Sequence, residues 1–139
     1  MIRYILDTDH LSLYQRGHSL INIRLKNCQP NEIAITIITV EEQIRGRLTQ
    51  IKKANSTQAR IEAYSWLRET INRLTELPVL DLDADACNQD EILRQQKLRL
   101  GTQDRRIAAI ALSKNAIVVT RNISDFGQIA GLKIEDWTK

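Results

Sequence analysis

Short apolar runs rich in β-branched residues alternate along this chain with longer polar stretches of helical period. Such alternation is typical of a parallel sheet covered by helices, because each crossover between parallel strands needs a long connection. The five strand candidates are Tyr4–Leu6, Ile33–Ile35 with Ile37–Ile38, Val79–Leu80, Ile117–Val119 and Leu132–Ile134. The first, second and fourth are apolar enough to be central, and the other two are expected at the edges. The predicted fold class is α/β.

The segments between these strands carry the start and stop signals of helices. Between the second and third strands, apolar residues recur at steps of three and four, which predicts two amphipathic helices separated near residues 55–57. Asp83 is expected to cap a further helix that runs toward Leu100 and ends at Gly101. Thr102 is expected to cap the next helix.

Length and charge limit the classes of protein to consider. The chain has 139 residues, enough for one ordinary domain, and no Pro-rich or low-complexity linker divides it. Its formal charge of +3 permits a polyanionic substrate but does not require an extended duplex-binding surface. No apolar run approaches membrane-spanning length. Cys28 and Cys87 lack disulfide or zinc spacing and are expected to be buried free thiols, so a cytoplasmic protein is predicted.

Four acidic residues each follow a strand candidate or lie near the start of a predicted helix: Asp7, Glu42, Asp104 and Asp125. Singly, each is explained as a helix-start acid, and Thr39 to Glu42 have the spacing of a capping box. Jointly, they are expected at one edge, because the carboxyl ends of parallel strands meet there. Clustered carboxylates repel one another unless a cation neutralises them, and hard oxygen ligands suit Mg²⁺ or Mn²⁺. We therefore predict a metal site with Asp7 and Asp104 as ligands.

Other polar residues near these acids are candidates for supporting roles. Side chains suited to hydrogen bonds that orient the acids are Thr8, Thr120 and Asn122. Arginines that flank the acids, and are candidate contacts to a substrate phosphate, are Arg45, Arg105 and Arg121. Asp9 is expected to face solvent. His10 and His18 lack partners at ligand spacing, so surface or helix-packing roles are expected. Trp66 and Trp137 are expected to be packing residues and not platforms on which bases stack.

Four blocks along the chain carry a family resemblance. They are Tyr4–Asp9, Thr39–Gly46, Gly101–Asp104 followed by Ile107–Ala109, and Val119–Asn122 followed by Asp125 and Phe126. Together these blocks resemble the PIN-domain ribonucleases of the VapC toxin family over nearly the full length. The resemblance implies a single PIN domain over residues 1–139. It also implies a three-layer α/β/α fold with a central parallel five-stranded sheet of order 3-2-1-4-5.

The same resemblance implies a function. VapC-like proteins are Mg²⁺- or Mn²⁺-dependent endoribonucleases that act as the toxin of a toxin-antitoxin pair, so an RNA substrate, a VapB-like antitoxin and a homodimer are expected. Asp7 and Asp104 match the family's metal ligands, and the spacing to Gly46 selects Glu42 over Glu41 as the family's glutamate. The chain departs from the family pattern by placing Asn122 where a fourth acid is expected, with Asp125 three residues later. The number of metal ions therefore stays open.

Three alternative functions fit parts of the sequence. A catalytically silent PIN domain that binds RNA or a protein is favoured by Asn122. A haloacid-dehalogenase-like phosphatase would use Asp7 as its nucleophile, but the segment from Thr120 to Asn122 lacks the lysine that this class needs. A receiver-like signalling module would use Asp81 as its phosphorylated residue, and the long two-helix insertion before Asp81 fits that class poorly.

Overall fold

A five-stranded, fully parallel sheet forms the centre of the computed structural model, which describes residues 1–139. The strand order is β3-β2-β1-β4-β5, so the predicted α/β class and the 3-2-1-4-5 order are confirmed. The strands are β1 Tyr4–Leu6, β2 Ile33–Thr36, β3 Val79–Leu80, β4 Ile117–Val119 and β5 Lys133–Glu135. The α-helices are α1 Thr8–Gln15, α2 Ser19–Lys26, α3 Ile37–Lys53, α4 Thr57–Leu74, α5 Ala84–Gln95, α6 Thr102–Lys114 and α7 Ile123–Phe126. A 3₁₀ turn at Pro30–Glu32 precedes β2.

Two hydrophobic layers cover the two faces of the sheet. Successive side chains of a strand point to opposite faces, so Ile5 packs into one layer and Leu6 into the other. The first layer is built on the Ile107–Ala111 run of α6, which is buried throughout. The second layer includes Leu11 from α1 and Ile21 from α2. The three central strands are largely buried and the two edge strands are not, as their apolar content predicts.

Two predicted helix boundaries and one predicted capping box differ from the structure. Ile37 and Ile38 open α3 instead of extending β2, because the Thr36 hydroxyl accepts the Thr39 N–H at 3.2 Å and caps the helix there. The capping box predicted from Thr39 to Glu42 is therefore absent, and Glu42 lies in the second turn of α3. Helix α5 ends at Gln95, well short of Leu100.

The cap of α6 is also shifted by one residue. Gly101 is the N-cap of α6, in extended backbone and without a side-chain bond, and Thr102 is the first helical residue. Two other predictions are confirmed. Asp83 accepts the Ala86 N–H at 3.0 Å and caps α5, and the break between α3 and α4 falls where Ser56 caps α4.

Three predictions about burial are tested by the fold. Trp137 is buried, as expected of a packing residue. Trp66 is 42% exposed, because it lines an open groove between α1, α3 and α4, where the guanidinium of Arg47 approaches its ring to 5.8 Å. Both cysteines are free, but Cys87 is exposed on α5 and Cys28 is only partly buried, so the prediction of two buried thiols is wrong. Burial raises the pKa of the Cys28 thiol. None of the helices is long and apolar enough to span a membrane.

The topology brings several chain segments to one edge of the sheet. Helix α1 starts directly after β1, and helix α3 starts directly after β2. Asn122 follows β4 by three residues and caps α7. Helix α6 runs back across the sheet to feed β4, so its N-terminus lies at this same edge. This edge contains the candidate site.

Candidate active site

Asp7 is held rigidly where β1 turns into α1. Its carboxylate is the N-cap of α1, and Oδ1 accepts the backbone N–H of His10 at 2.8 Å. Its own N–H donates to the carbonyl of Val119 in β4 at 3.1 Å. The residue is only 6% exposed. The backbone therefore fixes Asp7 from both sides and leaves its second carboxylate oxygen, Oδ2, free of protein hydrogen bonds.

Glu42 is positioned by a relay of two threonines. The Thr8 hydroxyl donates to Glu42 Oε1 at 2.6 Å. Because a hydroxyl has one proton, the 3.0 Å contact between the Thr8 and Thr39 hydroxyls is a donation from Thr39 to Thr8. Glu41 points away from this group and pairs with Arg45 and Gln103. The structure thus separates the two adjacent glutamates, and Glu42 is the one that reaches the site.

Asp104 projects into the site from the first turn of α6 and is partly buried. Its carboxylate accepts no hydrogen bond from the protein. Burial, together with the negative charges of Asp7, Glu42 and Asp125, raises the pKa of Asp104 from 3.8 to about 6. The acids predicted from four separate segments are therefore close enough to affect one another.

Two residues of one short segment, Asn122 and Asp125, lie where a fourth acid of the site is expected. Asn122 Nδ2 donates to Asp125 Oδ2 at 2.9 Å, so the amide binds one oxygen of the later acid. The Asn122 N–H donates to the buried Thr120 hydroxyl at 2.9 Å, which fixes the turn after β4. Asn122 lines the pocket directly, and Asp125 acts on Asp104 through its charge.

The three predicted phosphate-binding arginines are placed differently. Arg121 lines the site and makes a bidentate ion pair with Asp9, at 2.7 and 2.8 Å. Arg45 lies on the outer face of α3 and pairs with Glu41. Arg105 joins α6 to α5 through a largely buried 2.6 Å ion pair with Asp90. Only Arg121 is brought to the pocket, and no other arginine lines it.

An open pocket of about 410 Å³ results from these placements. Its lining is entirely polar: Asp7, Thr8, Asp9, Glu42, Asp104, Arg121 and Asn122. The single cation in this lining is already bound to Asp9, so the other three carboxylates have no side chain to neutralise them. A hard divalent cation such as Mg²⁺ or Mn²⁺ fits this donor set, because it prefers carboxylate oxygens and keeps several waters.

His10 lies beside the site and is buried, whereas the sequence predicted a surface or helix-packing role for it. His10 is fully buried, and it forms a compact group with Asp7 and Asp9 whose potential ligand atoms all lie within 4.8 Å of one another. Asp9 is committed to Arg121, and the His10 Nε2 accepts the Trp137 N–H at 3.2 Å. A metal ion bound by this group would have to displace these existing partners of Asp9 and His10. His18 caps α2, with Nδ1 accepting the Ile21 N–H at 3.4 Å.

Known proteins resemble this chain over its full length. Ribonuclease VapC2 of Rickettsia felis is 31% identical over 142 aligned residues, which cover 98% of each chain. The chain belongs to the VapC ribonuclease family. A second VapC relative is the tRNA(fMet)-specific endonuclease VapC of Salmonella typhimurium. It is 29% identical over 142 aligned residues, which cover 99% of each chain. The structure of VapBC-1 from nontypeable Haemophilus influenzae matches with a TM-score of 0.79 and 28% identity over 100% of both chains. No family model matches the chain.

Membership in the VapC family decides between the alternatives raised by the sequence. The phosphatase alternative is wrong, because the relatives named above are ribonucleases. The receiver alternative is also wrong, because receivers have a different strand order, 2-1-3-4-5. Asp81, which that alternative needs, lies beyond the edge strand β3 and does not line the pocket. The catalytically silent domain stays a prediction, and it is tested by RNA cleavage.

Proposed function

We propose that this protein is a metal-dependent endoribonuclease and the toxin of a toxin-antitoxin pair. The observation that carries the proposal is the convergence of Asp7, Glu42 and Asp104, from three distant segments, on one polar pocket. Carboxylates placed this close destabilise the fold unless a ligand compensates for their repulsion. Membership in the VapC family supplies the reaction class, which is hydrolysis of an RNA phosphodiester bond.

In this proposal Asp7 and Asp104 hold Mg²⁺ or Mn²⁺ at the edge of the sheet. Asp7 is rigid because its Oδ1 is bound at the helix cap, and Asp104 accepts no protein hydrogen bond that a metal would have to replace. The bound cation supplies Lewis-acid activation of water and neutralises charge that develops on the phosphate. The two carboxylates come from different layers of the fold, so their separation is set by the packed sheet and not by a loop.

Glu42 orients the attacking water in this proposal. Thr8 holds one oxygen of the Glu42 carboxylate, which leaves the other available to a water in the pocket. The water oxygen forms a bond to phosphorus and gives a proton to the Glu42 carboxylate, while the bond to one ribose oxygen breaks and that oxygen takes up a proton from solvent. Arg121 is the candidate contact to the substrate phosphate, because it is the one arginine at the pocket. It would have to exchange Asp9 for the phosphate.

Substrate and partners are proposed from the relatives. The Salmonella relative is named a tRNA(fMet)-specific endonuclease, so initiator tRNA is the first RNA to test. The Haemophilus neighbour is a VapBC assembly, so we propose that a VapB-like antitoxin binds this chain and inhibits it. A homodimer is the oligomeric state proposed for the toxin.

Cleavage of purified RNA tests the proposal. The wild-type protein should cut at least one of initiator tRNA, ribosomal RNA and messenger RNA, with added Mg²⁺ or Mn²⁺ and not with EDTA. Asp7→Asn and Asp104→Asn should each lose activity by about 100-fold or more, as expected when a group that stabilises the transition state is removed. Asp81→Asn is a matched control, because Asp81 is exposed and lies outside the pocket.

Two outcomes would contradict this function. Cleavage that persists in both aspartate variants would show that the pocket is not the active site. RNA that is bound but never cut, with any of the three substrates and either metal, would instead favour the silent domain. Co-purification of a small antitoxin with the toxin tests the partner separately.

A further inference from the structure

His10 is the one fully buried ionisable side chain next to the site, and the proposed mechanism leaves it without a role. It lies one turn after Asp7 in α1, with its ring between Asp7 and the C-terminal segment of the chain. Its Nδ1 atom has no hydrogen-bond partner. Because a buried polar group without a partner costs free energy, this atom requires an explanation.

The hydrogen bonds of His10 define which ring nitrogen carries the proton. The backbone N–H of Trp137 donates to Nε2 at 3.2 Å, so Nε2 is the acceptor and has no proton. The nitrogen that can donate a proton is therefore Nδ1. The nearby Asp136 carboxylate, 3.7 Å from Nε2, already accepts the N–H and the hydroxyl of Thr138. Asp136 therefore does not need a donor from the ring.

Nδ1–H of His10 faces the carboxylate of Asp7. The distance from Nδ1 to Asp7 Oδ1 is 3.5 Å, longer than a hydrogen bond, and a movement of about 0.5 Å would close it. That oxygen also accepts the His10 backbone N–H. The same carboxylate oxygen thus accepts the backbone N–H of His10 and lies nearest to its Nδ1, and the other oxygen stays free for the pocket.

The position of the imidazole ring is fixed from the far end of the chain. Trp137 is 1% exposed, and its ring packs edge-on against Tyr4 of β1 with centroids 5.0 Å apart. Its indole N–H donates to Glu135 at 3.0 Å. Because Trp137 is buried and hydrogen-bonded, its backbone N–H has a fixed position, and the hydrogen bond from this N–H fixes the orientation of the His10 ring. The C-terminal segment is therefore linked to Asp7 through a single side chain.

We propose that His10 is a positioning residue for the metal site: its Nδ1–H holds the Asp7 carboxylate, and its Nε2 ties that carboxylate to the docked C-terminal segment at Trp137. This inference rests on the proposed function, because Asp7 is taken as a metal ligand. Donors that hold ligating groups in place typically change metal affinity 10- to 100-fold when they are removed. The same effect is expected here.

A direct metal contact by His10 is the competing explanation. It requires an unprotonated Nδ1, so the ring proton would be on Nε2. Two donors, Nε2–H and the Trp137 N–H, would then face each other without an acceptor. The observed donor and acceptor pattern opposes this arrangement. Long-range ¹⁵N–¹H correlation spectra of the metal-free wild type distinguish the two. Our proposal predicts a proton on Nδ1 and none on Nε2, because Nε2 accepts the Trp137 N–H, whereas a proton on Nε2 would overturn it.

Two isosteric variants test the contact to Asp7. The amide nitrogen of Asn occupies the position of Nδ1, so His10→Asn keeps the donor to Asp7. The amide of Gln lies near Nε2, so His10→Gln keeps the contact to Trp137 and loses that donor. The proposal predicts an Mn²⁺ affinity about 10- to 100-fold weaker for His10→Gln and within about threefold of wild type for His10→Asn. Electron paramagnetic resonance of free Mn²⁺ measures both, on variants shown to be folded by circular dichroism.

A kinetic measurement separates positioning from general structural damage. In His10→Gln the metal concentration for half-maximal RNA cleavage should rise, while kcat at saturating metal should recover to near the wild-type value. Equal loss of Mn²⁺ affinity in both variants would show that only ring packing matters and would overturn the proposal, as would no loss in either. The Mn²⁺ affinity of Asp7→Asn shows whether a failure concerns the proposed metal site or only the role of His10. Unchanged Mn²⁺ affinity in that variant defeats the proposed site itself, whereas loss in Asp7→Asn without loss in His10→Gln defeats only the role of His10.

Discussion

Replacing Asp104 with Asn should stabilise the metal-free protein at neutral pH, although it removes a proposed metal ligand. The Asp104 carboxylate is partly buried, accepts no protein hydrogen bond and is surrounded by other acids, which together raise its pKa from 3.8 to about 6. Asn has nearly the same shape and no charge. The substitution therefore relieves repulsion from Asp7 and Glu42 without leaving a cavity.

The magnitude follows from the pKa shift. A rise of about two units corresponds to nearly 3 kcal/mol against the ionised form, and solvent screening of a partly exposed group lowers this to about 1–2 kcal/mol. For a domain of this size the gain is a rise in Tm of roughly 3–8 °C. Thermal unfolding followed by circular dichroism, with EDTA at pH 8, measures it.

The pH dependence has a definite sign. Because the folded-state pKa is raised, the stability contributed by Asp104 is complete below about pH 4 and is lost as the pH rises through about 6. The advantage of Asp104→Asn should therefore be full at pH 8 and absent near pH 4. Saturating Mn²⁺ should reverse the order, because it binds the folded wild type more tightly. A lower Tm for Asp104→Asn than for wild type in EDTA at pH 8 would refute this reasoning, and Asp81→Asn serves as the control.

Three further experiments test the packing and the site. Glu42→Gln should lower the rate of RNA cleavage by about 100-fold or more. Glu41→Gln, on the outer face of α3, is the control and should leave the rate unchanged. Similar rates in the two variants would contradict the assignment of Glu42 to the site. Thr8→Val removes the donor to Glu42 and should lower kcat about 10-fold with little change in Tm, and an unchanged kcat would count against the threonine relay. Ile110→Ala in the buried run of α6 should cost about 2–5 kcal/mol of unfolding free energy in urea titrations, and a loss below 1 kcal/mol would show that this layer is loosely packed.

The arrangement of the sheet was predictable because apolar runs report burial directly. Residues 4–6 and 117–119 form short apolar runs, and both runs are central strands in the structure. The boundary between β2 and α3 was not predictable in the same way, since Ile37 and Ile38 continue the apolar pattern of the strand. There the choice is made by the Thr36 cap, and a capping threonine looks the same in sequence as the other threonines nearby.

The acids of the site were predictable from the sequence, but the hydrogen bonds and ion pairs around them were not. Parallel strand ends share an edge, so the convergence of Asp7 and Asp104 follows from topology. The partners of the neighbouring residues do not follow from it. Arg121 and Asp9 are 112 positions apart, and His10 and Trp137 are 127 apart, so their contacts depend on how the C-terminal half packs on α1. The burial of His10 is a tertiary property without a local sequence signal.

Locating the metal is the most direct test of the central claim. Crystals of the wild-type protein soaked in Mn²⁺ should show an anomalous peak about 2.1 Å from carboxylate oxygens of both Asp7 and Asp104, the distance typical of such small divalent cations. Asp104→Asn crystals should lose or greatly weaken this peak. A peak held by Asp9 and His10 instead, or no peak at saturating Mn²⁺ with the pocket accessible to solvent, would contradict the account.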